Sequence, residues 1–126
     1  MTKWDELQVL DKVRAALAEV KPSPNGSGRP YLTAYQLAIR VDRAHPGLKH
    51  HFGGTVGGAG IGQHNSLTEY LAGQLTQRVS ADFPIERVAL SNDDVATMTF
   101  KATGGGEIAN SLLGSEYPTS LFRLRD

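Results

Sequence analysis

The chain has 126 residues, 40% of them apolar, and its thirteen basic side chains balance thirteen acidic ones. That length suits one domain with a real core rather than two. The zero formal charge excludes a strongly basic nucleic-acid binder while leaving room for a local basic face.

Cysteine is absent, so there is no disulfide framework, thiol nucleophile or Cys-type zinc site. No apolar run approaches the ~18–20 residues of a membrane span, and a membrane partner is not expected. The opening Met1-Thr-Lys-Trp-Asp-Glu-Leu7 is charged and amphipathic rather than a signal peptide. A cytoplasmic single domain is the expectation.

Residues 4–20 read as a first helix. Leu7, Leu10, Val13, Leu17 and Val20 recur at steps of three and four, and Pro22 stops the pattern. Residues 21–30, with three prolines and Asn25-Gly26, form a flexible loop. A second helix over 33–45 is delimited at both ends. Thr33 and Gln36 make a T-x-x-Q capping box, and Pro46-Gly47 ends it. Its apolar surface is wide (Ala34, Leu37, Ala38 and Val41, broadened by Tyr35 and Ile39), so the helix should be packed on two sides. Its narrow polar stripe is Gln36, Arg40 and Arg43.

Residues 46–65 form a second flexible loop, which carries six of the fourteen glycines between Gly53 and Gly62. So long a loop inside a compact domain usually has a function or is disordered. All four histidines, His45, His50, His51 and His64, flank it. A third helix follows over 66–79, with Ser66 and Glu69 as an S-x-x-E capping box. Free N–H groups at its start would favour an anionic partner. Leu67, Tyr70, Leu71, Leu75 and Val79 form the core side, and Glu69, Gly73, Thr76, Gln77 and Ser80 a nearly uncharged outer side.

The texture then turns to β. Residues 85–90 and 95–102 read as strands around a turn at Ser91–Asp94. Residues 107–113 and 121–125 supply two further short strands. The fold class is therefore α+β: three helices followed by a small antiparallel hairpin or meander.

This order of helices at 4–20, 33–45 and 66–79, with a strand pair at 85–90 and 95–102, resembles the winged helix-turn-helix class. The resemblance implies DNA binding, with helix 66–79 in the major groove and the hairpin as a wing. Two features depart from the pattern. About twenty residues join the last two helices where a turn of three or four is usual, and the wing tip Asn92-Asp93-Asp94 is acidic.

On the DNA-binding reading, phosphates fall to Arg40, Arg43, Lys49 and Arg78, and base edges to Thr76, Gln77 and the start of the helix, where Thr68 lies; His50, His51 and His64 are further candidates for contact with nucleic acid or a partner. Between Arg29 and His51 there is a local excess of three positive charges. A two-fold homodimer is the assembly such a reader often adopts. The alternative is a protein-interaction module, an adaptor, inhibitor or assembly subunit, using loop 46–65 and helix 66–79. Enzymatic, cofactor and metal chemistry are not expected. The glycine loop matches neither the P-loop nor the dinucleotide pattern, and the histidines form no H-E-x-x-H. Ser66, next but one to His64, is better employed as a helix cap than as a nucleophile, with no G-x-S-x-G around it.

Overall fold

The computed structural model describes residues 2–58 and 66–125. Their elements are α1 (Lys3–Glu6), α2 (Val9–Ala18), β1 (Leu32–Thr33), α3 (Ala34–Ala44), α4 (Leu67–Arg78), β2 (Ile85–Leu90), β3 (Thr99–Lys101), β4 (Glu107–Ala109) and β5 (Thr119–Leu124). A single 3₁₀ turn covers Leu48–His51. The class is α+β, and the order is compatible with a winged-helix-like arrangement.

The first helix is interrupted where the sequence suggests continuity. Gln8 adopts the left-handed conformation at φ 51° and separates α1 from α2. Helical geometry explains the break. At about 100° per residue, Trp4 and Val9 would point roughly 140° apart on one continuous helix, yet both are buried. The break re-aims Trp4 toward Tyr70 and Arg78 of α4. Val9, Val13 and Leu17 of α2 then enter the main core. Lys12 Nζ donates to the Leu7 carbonyl that the interruption leaves open.

Helix α3 forms as its sequence signals require. Thr33 Oγ1 accepts from Gln36 N at 3.1 Å, while Gln36 Oε1 accepts from Thr33 N at 2.8 Å. Its two-sided packing is present. Leu37, Ala38 and Val41 join α2, α4 and the sheet in the main core, whereas Tyr35 and Ile39 pack with Ile108 and Phe100.

The strand pairing differs from the expected hairpin. Strand β2 pairs along its whole length with β5, from Ile85 opposite Leu124 to Leu90 opposite Thr119, and β5 also pairs with β1. The sheet order is β1-β5-β2, all antiparallel, and β3 pairs separately with β4. Burial favours this choice. Phe122 and Thr119 of the central strand are fully buried, which requires cover that a local 85–102 hairpin would not supply. The expected third strand over 107–113 is limited to Glu107–Ala109.

A buried polar network ties the β3–β4 ribbon to the rest. The Tyr35 hydroxyl donates to Asn110 Oδ1 at 3.1 Å and accepts from Ser111 N at 2.9 Å. Asn110 Nδ2 donates to Thr119 Oγ1 at 2.7 Å, and Thr119 donates onward to Asn92 Oδ1 at 2.6 Å. Helix α3, the ribbon, β5 and the turn after β2 are thus joined through one chain of contacts.

A second cluster anchors the segment expected to be a flexible loop over 21–30. Glu86 accepts from Arg123 Nε at 2.6 Å and from Arg125 Nη1 at 3.1 Å. Arg123 also donates to the carbonyls of Ser27 and Arg29 and lies 4.5 Å from the centre of the Tyr31 ring. The Arg123 hydrogen bond, with both guanidinium charges nearby, holds the Glu86 carboxyl below its ordinary value.

Candidate functional site

The polar stripe of α3 faces the β3–β4 ribbon across a trough. Gln36, Ile39, Arg40 and Arg43 form one wall and Thr99, Phe100 and Lys101 the other, enclosing about 310 Å³. A second hollow of about 530 Å³ shares Arg43 and Lys101 and extends over Gly104–Gly106 at the ribbon tip. The two hollows adjoin at these shared residues.

Three cations therefore line one concave path. Among the described residues none of Arg40, Arg43 and Lys101 makes an ion pair. The one carboxylate lining the path is Glu107, the cross-strand partner of Lys101, and its Oε2 accepts from Thr99 Oγ1 at 3.4 Å. Arg40 and Arg43 sit one helical turn apart, so both project to the same side of α3. The ribbon is positioned by Tyr35, whose ring stacks on Phe100 at 5.3 Å and 10°. The buried residues of α3 thus set the place of Lys101 relative to its arginines.

Other residues read from the sequence as binding candidates lie elsewhere. Lys49 pairs with Asp42 at 3.0 Å, and Asp42 is itself buried. Arg78 stacks over Trp4, 4.1 Å from the ring centre, and donates to the Gln74 carbonyl at 3.2 Å. Thr68 is buried and donates to Val56 O at 2.7 Å. These three side chains serve internal contacts. His50 and His51 are exposed on the 3₁₀ turn, and His64 lies outside the described residues. Thr76 and Gln77 are exposed on the outer side of α4. No α4 residue lines the trough, so the structure does not join these two to Arg40 and Arg43 in one surface.

The start of α4 is not an open anion cradle. Leu67 N donates to Thr55 O at 3.0 Å, Thr68 N to Val56 O at 2.9 Å, and Glu69 N to Ser66 Oγ at 3.1 Å. The chain's own residues 55–56 satisfy donors that an anion would need. Their approach explains Gly57, where φ is 148° and a Cβ would lie 2.7 Å from Thr68 Oγ1. Beside this junction His51, Phe52, Gly53, Ser66, Glu69, Tyr70 and Gly73 line a separate hollow of about 400 Å³. Phe52 and Tyr70 stack there with centroids 3.8 Å apart.

Lys101, Thr99 and Phe100 were not sequence candidates. Their alternating strand pattern was visible, but their position against α3 depends on a long-range contact between Tyr35 and Phe100. Among the described residues no group of three or more His, Asp or Glu side chains is placed to hold a metal ion. No helix among them is long and apolar enough to cross a membrane. In comparisons with known proteins, no family model, curated protein or solved structure matches this chain.

Proposed function

We infer that the protein is a small DNA-binding regulatory protein whose phosphate-binding surface is the α3–ribbon trough. The observation that carries this reading is the set of three cations, Arg40, Arg43 and Lys101, lining one path without ion-pair partners among the described residues. Side chains such as these bind phosphate by charge and hydrogen bonding. The winged-helix-like element order is consistent with it. In this reading α4 has a lesser part. Its outward Thr76 and Gln77 offer hydrogen bonds to bases, while Arg78 is engaged on Trp4.

Salt titration tests the proposal. Three phosphate contacts predict that affinity for mixed-sequence DNA falls about 40-fold for a duplex, or about 20-fold for a single strand, between about 50 mM and 200 mM salt. The Arg40→Gln/Arg43→Gln/Lys101→Gln variant should remain folded and lose most of both the affinity and the salt slope. Absence of binding at the lower salt with micromolar protein would overturn it.

A second reading, a protein partner or a second copy of this chain, is favoured by β2. This edge strand exposes Val88 at 40% and Leu90 at 37%, and among the described residues its outer edge pairs with no other strand, as strand addition requires. Such pairing would be nearly insensitive to salt, which separates it from the first reading in the same titration.

A further inference from the structure

We propose that the trough takes a single strand of DNA, with phosphates on Arg40, Arg43 and Lys101 and a base against Phe100. This rests on the DNA-binding reading and specifies its ligand. The path is concave, walled by a helix on one side and a ribbon on the other. A duplex presents a broad convex backbone and keeps its base faces stacked inside, whereas a single strand can enter a narrow channel and turn a base outward.

The chemistry along the walls fits that ligand. Thr99, Phe100 and Lys101 all line the trough, with the Phe100 side chain on the α3 side of the strand and its two neighbours alternating to the other face. Single-strand binders combine two features, a cationic track for the backbone and an aromatic ring on which bases stack without regard to sequence. The Phe100 ring is braced from within. Tyr35 stacks on it and is itself held by Asn110 and Ser111. A braced ring loses little freedom when a base arrives, so more of the stacking energy is available for binding. Gln36 and Thr99 add uncharged hydrogen-bonding groups. Glu107, opposite Lys101 in the ribbon, opposes phosphate there and so favours seating toward the Gln36–Arg40 end.

The experiment compares a mixed-sequence single-stranded oligonucleotide with its own duplex at about 50 mM salt, using the full chain. Wild type should bind the single strand at least tenfold more tightly. Phe100→Leu, which keeps apolar volume against Tyr35, should lose roughly five- to hundredfold of single-strand affinity while retaining its circular dichroism spectrum. Phe100→Trp should retain binding, and its added fluorescence should be quenched by the single strand and not by the duplex. Equal or tighter duplex binding, or single-strand binding unchanged in Phe100→Leu, overturns the single-strand proposal and leaves the DNA-binding reading standing. Failure of both probes to bind overturns both.

Discussion

At the scale of single residues, some cations of this protein are engaged by the fold, while others line the trough without an ion pair among the described residues. Arg123, Arg125, Lys49 and Arg78 belong to the first group, through Glu86, Asp42 and the Trp4 ring. Arg40, Arg43 and Lys101 belong to the second. Glu86 yields a pH prediction. Its folded-state pKa is lowered, chiefly by the Arg123 hydrogen bond. Its contribution is therefore full above the unfolded carboxylate range, near 4.3. It is lost as pH falls through the lower folded value. Denaturation midpoints measured from about pH 6 down to pH 3 should fall more steeply for wild type than for Glu86→Gln. Parallel curves would show that the two arginines do not stabilise the ionised form. The carboxylate is 26% exposed, so the effect is expected to be modest.

At the scale of elements, the Tyr35 hydroxyl determines whether the ribbon is a fixed wall or a loose one. Removing it in Tyr35→Phe leaves Asn110 and Ser111 N with unmet hydrogen-bonding capacity around a mostly buried site. The expected cost is about 1–3 kcal/mol in chemical denaturation. Amide exchange should accelerate more in β3 and β4 than in α2. A loss below about 0.5 kcal/mol, with ribbon exchange unchanged, would mean that apolar packing on Phe100 suffices.

The elements also differ in how readable they were. The capping residues Thr33, Gln36 and Ser66 act within three positions of themselves, so both helix starts were legible. Strand Ile85–Leu90 was legible from its composition and bounding turns. Its partner was not, because Leu90 meets Thr119 across a long intervening segment and no local turn signal encodes that pairing. The break at Gln8 was hidden because Leu7 and Leu10 continue the helical stripe while Trp4 must point elsewhere. Half of the trough was readable in Arg40 and Arg43. Lys101 was missed because only the tertiary contact of Tyr35 with Phe100 brings its strand to α3.

At the scale of the whole molecule, two apolar clusters meet around α3. The larger gathers α2, α4 and the sheet, the smaller holds the ribbon, and Val56 packs against both. The glycine-rich connection is thereby partly built into the fold, since residues 55–56 close the first turn of α4. This arrangement leaves the basic stripe of α3 facing the ribbon rather than α4. Binding should therefore register on α3 and β3. The most direct measurement is an amide footprint, by ¹⁵N chemical-shift perturbation or hydrogen exchange, on addition of single-stranded DNA at low salt. The largest changes are predicted at Gln36, Arg40, Arg43, Thr99, Phe100 and Lys101. A footprint confined to the outer side of α4, around Gly73, Thr76 and Gln77, would contradict the assignment of the trough as the DNA-binding surface.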